Sequence, residues 1–465
     1  MDTENTINEP VTLLKDTTPS EWGLYSWKSK PIKHQPVYSD TEELSSVLKE
    51  IENAPKIVEI QDICDLQDNI RLCGLGDKML IHLGDCAETF KDCNEVSIKN
   101  RFVLFNLCSL IINKILKKDV VKIGRIAGQY AKPRSSPVEV VNGVAMSSYF
   151  GDNINCFSPT KEGRVPNPEK LIKGYHWAVT TYHTIEKLMN YKTYEICRDV
   201  LEDQLREQTA LDKDTPEYED FINVIKECAE DLSDIEDLYV SHEGLLLDYE
   251  SKLTKLCRYS EDESEKYFNT STHFLWVGER TNKFDQAHVE YFRGIQNPIG
   301  IKVGPKSDPK DIVKSILTLN PENEMGRLTL ILRLGAKNVK ETLPPLIEEI
   351  TNHKLNVVWV TDAVHGNTYV NDCKFKVRHF DTVLEELVSV YTILHKNNQI
   401  FGGIHLEVSG DNVTECLGGI TKTCDDDLYT NYSTQCDPRL SFLQTLHLIY
   451  KFCIEVSKLD LLPTE

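Results

Sequence analysis

Eight short apolar runs recur along this chain, each of strand length and each bounded by glycine, aspartate or another turn residue. They are Met79–Leu83, Val121–Arg125, Asp237–Ser241, His273–Val277, Ile299–Val303, Leu328–Arg333, Val357–Thr361 and Gly403–Glu407. Most intervals between them hold helix-length amphipathic segments. Phe380–Lys396 is one. Pro309–Leu319 is another, with Asp308 placed to cap it and a proline in its first turn. Strand, helix and strand in repetition build a parallel sheet, and eight such units close it on itself. The expectation is an α/β chain folded as a (β/α)8, or TIM, barrel. A length of 465 residues, 40% of them apolar, is ample for that core.

Two stretches stand outside the repeat. Residues 1–65 are polar, contain proline and lack the alternation, so they are expected to form an N-terminal extension ahead of a barrel over 66–465. Trp22, Tyr25 and Trp27 in it are costly to leave in water and are expected to pack on the barrel or on a second subunit. The interval between the second and third runs is too long for one crossover helix, which predicts extra helices inserted after the second strand, over about 160–235. Inside it, residues 212–237 carry 11 acids against Lys213 and Lys226, a net of −9. Such a run is either a solvated helical face or an oligomer or regulatory surface.

The whole chain has 52 basic and 73 acidic residues, a formal charge of −21, the wrong sign for nucleic acid or an anionic membrane surface. Nothing approaches the roughly 18–20 apolar residues of a membrane span. Met1–Pro10 has neither the basic start nor the apolar centre of a signal peptide, so a cytoplasmic location is expected. The 14 cysteines are scattered without CxxC pairs, as reduced and mostly buried thiols would be.

Charged and polar residues collect where the apolar runs end: Asp85 and Cys86, Arg125, His242 and Glu243, Glu279 and Arg280, Lys302, Arg333, Asp362 and His365, and Glu407. In a barrel these ends converge on one mouth, where active sites of this fold sit. Independent structural ion pairs would have no reason to favour the same end of so many strands. Arg125, Arg280, Lys302 and Arg333, with Lys132 and Arg134 in the loop after the second strand, form a basic set suited to a substrate pair with several negative charges. Cys86, His365, Glu407 and Asp437 offer one sulfur, one nitrogen and two carboxylates, a mixed donor set that suits Mn, Co, Fe or Zn kept open for chemistry.

The chain resembles the class II, or plant-type, 3-deoxy-D-arabino-heptulosonate 7-phosphate (DAHP) synthases. The likeness runs in order from about Ser26 to Phe452. It is densest at Gly84-Asp85-Cys86-Ala87-Glu88, at Lys122 to Ser135 (KIGRIAGQYAKPRS), and at Ser148 to Asn153 (SYFGDN). Further on it includes Ser241-His242-Glu243, Trp276 to Thr281 (WVGERT), Gly300 to Pro305 (GIKVGP), His365 to Thr368 (HGNT), Asn412 to Cys416 (NVTEC) and Cys436-Asp437-Pro438-Arg439. The resemblance implies a transferase that performs the metal-dependent, aldol-like condensation of phosphoenolpyruvate with D-erythrose 4-phosphate. The products are DAHP and phosphate, and the reaction opens the shikimate pathway to chorismate and the aromatic amino acids.

Carried over by residue, the resemblance implies that Cys86, His365, Glu407 and Asp437 bind a divalent metal, Mn2+ or Co2+. Arg125, Glu279, Arg280, Lys302 and Arg333 would surround phosphoenolpyruvate, with Arg125, Glu279, Lys302 and Arg333 as the catalytic members. Lys132, Arg134 and Ser135 would hold the erythrose 4-phosphate end, and Glu279 would orient the water that adds at C2. The helices after the second strand match those the family uses for assembly, here a homodimer or homotetramer, and for effectors such as aromatic amino acids.

Three motifs depart from the family pattern. Leu83-Gly84-Asp85-Cys86 stands for Gly-Gly-Asp-Cys, Asp362-Ala363-Val364-His365 for Asp-Pro-Met-His, and Thr434-Gln435-Cys436-Asp437 for Thr-His-Cys-Asp. All adjoin metal ligands and none removes one. They leave room for a secondary-metabolism synthase acting on a related, for example amino-substituted, aldose phosphate. A non-catalytic regulatory paralogue is opposed by the retained ligand and cation sets. Cys86 and Cys436 are either free thiols or a pair able to form a disulfide that expels the metal. The run Asp425-Asp426-Asp427 has no role assigned by its pattern.

Overall fold

The computed structural model describes residues 21–134, 136–141, 143–190, 193–207, 216–230, 237–259 and 264–460. The expected barrel is present. Its eight parallel strands are β1 Lys78–Gly84, β2 Asp119–Arg125, β3 Leu238–Glu243, β4 Phe274–Val277, β5 Ile299–Val303, β6 Leu328–Leu332, β7 Val358–Asp362 and β8 Phe401–Glu407. Each pairs with its neighbour in sequence, and β8 closes on β1. Strands covered on both faces are apolar along their length rather than alternating, and β5, β6 and β7 are wholly buried. β3 runs two residues past the expected end, because Ser241–Glu243 pair with Phe274–Trp276 of β4; His242 and Glu243 therefore belong to the strand.

Helices Pro309–Leu319 and Phe380–Lys396 form as their periodicity predicts, and the Asp308 carboxylate accepts from the Lys310 amide at 2.9 Å. Helix Ile60–Leu75 plugs the N-terminal end of the barrel. Its Leu66, Ile70 and Cys73 pack with Leu80, Val121, Phe274 and Val358 of the interior. Gly76, left-handed at φ 85°, ends this helix and turns the chain into β1. Residue 65 thus lies within a helix that belongs to the barrel floor.

Ahead of that helix, the described part of the extension packs on the barrel. Trp27 is buried and its indole N–H donates to Ser251 Oγ at 2.9 Å, while Trp22 donates to the Glu290 carbonyl at 2.9 Å. Tyr25 stays exposed. Between β2 and β3 come the hairpin Val138–Val141 with Val144–Ser147 and the helices Glu169–Met189, Thr193–Glu207 and Pro216–Glu230. The last buries Phe221, Ile225 and Cys228, and its Glu217 and Glu227 pair with Lys451 at 2.8 Å and Lys114 at 3.0 Å. This part of the acidic run is an amphipathic helix fastened to the body; 212–215 and 231–236 lie outside the described residues. Asp425–Asp427 form a short turn in which Asp427 accepts from the Cys424 amide at 2.8 Å and Asp425 from Asn371 at 2.6 Å, so two of these acids serve the loop itself. No described helix is long and apolar enough to cross a membrane. All 14 cysteines are free thiols.

Candidate active site

A cavity of about 360 Å³ opens at the mouth where the strands end. Cys86, Arg125, Lys132, Arg134, Glu279, Arg280, Lys302, Arg333, His365, Glu407 and Asp437 all line it. Ser135 lies outside the described residues.

On one wall, Cys86 Sγ and carboxylate oxygens of Glu407 and Asp437 lie within 4.8 Å of one another, and His365 Nε2 is 3.0 Å from Glu407 Oε1. The His365 ring is turned by Asp362, whose Oδ2 accepts from Nδ1 at 2.8 Å and leaves Nε2 directed at the cluster. Arg378, fully buried, donates to Glu407 Oε2 at 2.6 Å. Burial pushes the Glu407 carboxyl up, but His365, Lys132 and Arg378 outweigh it and hold the group well below its usual range. A thiol, an imidazole and two carboxylates so placed fit a divalent cation. Lys132 lies at this donor set. Its ammonium bonds Cys86 Sγ and Asp437 Oδ2 and is 3.9 Å from Glu407 Oε1, a cation set between two carboxylates and a thiol that burial pushes well up.

The cavity floor is cationic. Arg125 donates through Nε to the Asp85 carbonyl at 2.9 Å and through NH2 to the Cys86 carbonyl and Glu407 Oε1, each at 3.2 Å. Its guanidinium stacks 5.1 Å over Trp276. Lys302 is paired with Asp362, and both Lys302 Nζ and Arg125 NH1 lie 2.7 Å from His405 Nε2. Burial, reinforced by the charge of Arg125, lowers the Lys302 ammonium to about 8 despite Asp362. Burial and the same two cations hold His405 and its neighbour His82 well below the usual imidazole range, so both rings are neutral.

Further charges stand around the rim, among them Lys376, paired with Asp437 at 3.0 Å. Arg333 pairs with Glu279. Arg280 donates to the Pro133 carbonyl at 3.4 Å, which sets it against the loop bearing Arg134, and Arg134 pairs with Glu139 at 3.1 Å. Glu243 also lines the cavity; burial pushes its carboxyl up, and its Oε1 has no hydrogen-bond partner among the described residues.

Buried carboxylates brace the loops. Glu386 accepts from the amides of Leu334 at 3.0 Å and Gly335 at 2.8 Å, and from Asn367 at 2.7 Å. It thereby ties the loop after Arg333 to the loop carrying His365. The two backbones touch at Gly335 and Gly366, where a Cβ on either residue would collide with the other. Glu415 accepts from the amides of Ser433, Thr434 and Arg439 at 3.1, 2.7 and 2.7 Å and so shapes the loop that presents Asp437. Sequence reasoning missed His82, His405, Arg378, Glu386 and Glu415. The two histidines left a local signal, an imidazole flanked by apolar residues in a strand, and Glu415 lies in the NVTEC motif, which marked the segment but not its role.

Residues 22–453 match the family described as Class-II DAHP synthetase. A phospho-2-dehydro-3-deoxyheptonate aldolase of Neurospora crassa is 39% identical over 463 residues, covering 94% of this chain and 95% of its own. Proteins of that name from Streptomyces coelicolor and Mycolicibacterium smegmatis are each 35% identical, covering 95% and 92% of this chain and 98% and 93% of theirs.

Proposed function

The chain belongs to the class-II DAHP synthetase family, and we propose a division of labour among its residues for that reaction, the condensation of phosphoenolpyruvate with erythrose 4-phosphate to DAHP and phosphate at the start of the shikimate pathway. The observation that carries it is the meeting of seven cationic side chains, the six expected and Lys376, with a four-residue donor set in one cavity of a chain with net charge −21.

The family depends on a divalent metal. Cys86, His365, Glu407 and Asp437 would hold it, as Mn2+ or Co2+ on the resemblance to the family, a choice within the range these donors suit. When bound, such a cation supplies Lewis acidity toward the aldehyde oxygen. Arg125, Lys302 and Arg333 bind the carboxylate and phosphate of phosphoenolpyruvate and aim its C3 at the aldehyde carbon. Arg280 stands with them at phosphoenolpyruvate, while Arg134 and Lys132, the latter nearer the donor set, take the phosphate of erythrose 4-phosphate. A carbon–carbon bond forms between C3 and the aldehyde carbon, water held by Glu279 adds at C2, and the phosphate leaves C2 as the ketone forms. Assembly as a homodimer or homotetramer, aromatic amino-acid effectors and a cytoplasmic location accompany this reading.

Steady-state kinetics of two variants test the assignment. Lys302→Met is expected to raise KM for phosphoenolpyruvate and Arg134→Ala that for erythrose 4-phosphate, each with little effect on the other substrate. The assignment is wrong if the two effects are exchanged or both KM values stay unchanged.

A further inference from the structure

The floor of the cavity is closed by a hydrogen-bonded chain whose direction can be derived from chemistry alone. Arg125 and Lys302 have only hydrogens to give, and both point at His405 Nε2 from 2.7 Å. That nitrogen must accept, so the His405 proton resides on Nδ1. Nδ1 lies 2.8 Å from His82 Nδ1, which therefore accepts, placing the His82 proton on Nε2. His82 Nε2 donates to Ser241 Oγ at 2.7 Å, and the serine hydroxyl donates to the Gly124 carbonyl at 2.8 Å. His82, Ser241 and His405 are fully buried. Their strands β1, β3 and β8 end at the cavity, and β1 and β8 bring the two histidines side by side in register. Trp276 meets both rings edge-on, at 5.2 Å from His82 and 5.8 Å from His405, and fixes their planes.

We propose that His82 and His405 are positioning residues for phosphoenolpyruvate. The His82–Ser241–Gly124 chain keeps His405 in the tautomer that offers one shared lone pair to Arg125 and Lys302, and thereby holds two like charges in the spacing the substrate requires. This rests on the assignment of Arg125 and Lys302 to phosphoenolpyruvate. Reversal of either tautomer would turn an N–H toward another donor or toward the two cations, so the chain has one stable direction.

Histidine-selective 15N labelling of the intact enzyme reads this directly, with the two signals assigned from His82→Gln and His405→Gln. His405 is expected as the Nδ1–H tautomer and His82 as the Nε2–H tautomer. An Nε2–H tautomer or an imidazolium at His405 overturns the proposal. In the second arm, His82→Leu removes the acceptor for His405 Nδ1–H without touching either cation. Calorimetry is expected to show phosphoenolpyruvate binding weakened about tenfold or more, with KM for erythrose 4-phosphate unchanged. His82→Gln, whose carbonyl can accept, restores most of the loss. A folded His82→Leu enzyme that binds phosphoenolpyruvate as tightly as wild type refutes the relay. Lys302→Met separates the two levels: if it abolishes binding while His82→Leu does not, the relay alone fails. If neither matters, the substrate assignment itself is wrong.

Discussion

Asp362→Asn is the substitution that loads the most onto one atom. Asp362 is fully buried; its Oδ2 serves both Lys302 Nζ and His365 Nδ1, the latter at 2.8 Å, while Oδ1 accepts from the amides of Val364 and His365 at 3.3 and 3.2 Å. Burial raises its pKa, but His365 and Lys302 prevail and hold the carboxyl well below its usual range. Asparagine has nearly the same shape, yet its NH2 must face either Lys302 and His365 or the two backbone amides, and both choices set donor against donor. Removing one partner of a buried ion pair costs about 3–5 kcal/mol. Loss of the carboxylate that orients a ligand histidine weakens metal binding about 10–100-fold. Urea unfolding of the metal-free protein and manganese calorimetry are therefore expected to show both losses together. A variant destabilised by less than about 1 kcal/mol, the scale of an exposed pair, and with unchanged manganese affinity would refute the argument.

Lys302 predicts a pH limb. Its ammonium, lowered to about 8, is lost in the free enzyme as pH rises through that value, so kcat/KM for phosphoenolpyruvate falls there, while bound substrate retains the proton and kcat holds to higher pH. By linkage the folded chain binds fewer protons than the unfolded one between about pH 8 and 10.4, so this group adds stability as pH rises across that window. A flat kcat/KM profile to pH 10 would contradict the shift. Cys436, whose thiol is pushed down to about 7 chiefly by its hydrogen bond with Cys86, is expected to crosslink to Cys86 in oxidised apoprotein; mass spectrometry finding both thiols free after oxidation would dispose of that pairing. Trp27→Ala is expected to destabilise the folded chain by about 3–5 kcal/mol and to expose the extension to protease, since the indole is 4% exposed and bonded to Ser251. Unaltered proteolysis would show that the extension docks without it.

The barrel was legible because parallel strands buried on both faces write themselves as apolar runs, and the mouth because most of the charged residues stand at or near the ends of those runs. What escaped was pairing that exists only after closure. His82 and His405 are 323 residues apart in sequence and become a pair through the register of β1 with β8. Arg378 follows the small hairpin after β7 in a stretch without periodicity, yet it is the buried counter-ion of Glu407. Glu386 occupies one position of an amphipathic helix whose pattern says only that the position is internal. Lys132 was legible as a cation of the site but not as a neighbour of Cys86 and Asp437, since that depends on how the loop after β2 folds back over β1.

The measurement that tests the account most directly is phosphate release from phosphoenolpyruvate with erythrose 4-phosphate, in chelated enzyme and in enzyme reconstituted with Mn2+ or Co2+, with product identified by mass. Release coupled one-to-one to DAHP, absent after chelation and restored by the metal in wild type but not in Cys86→Ser or Asp437→Asn, is the predicted result. Full turnover in chelated enzyme, or none with the metal restored, would contradict the central claim.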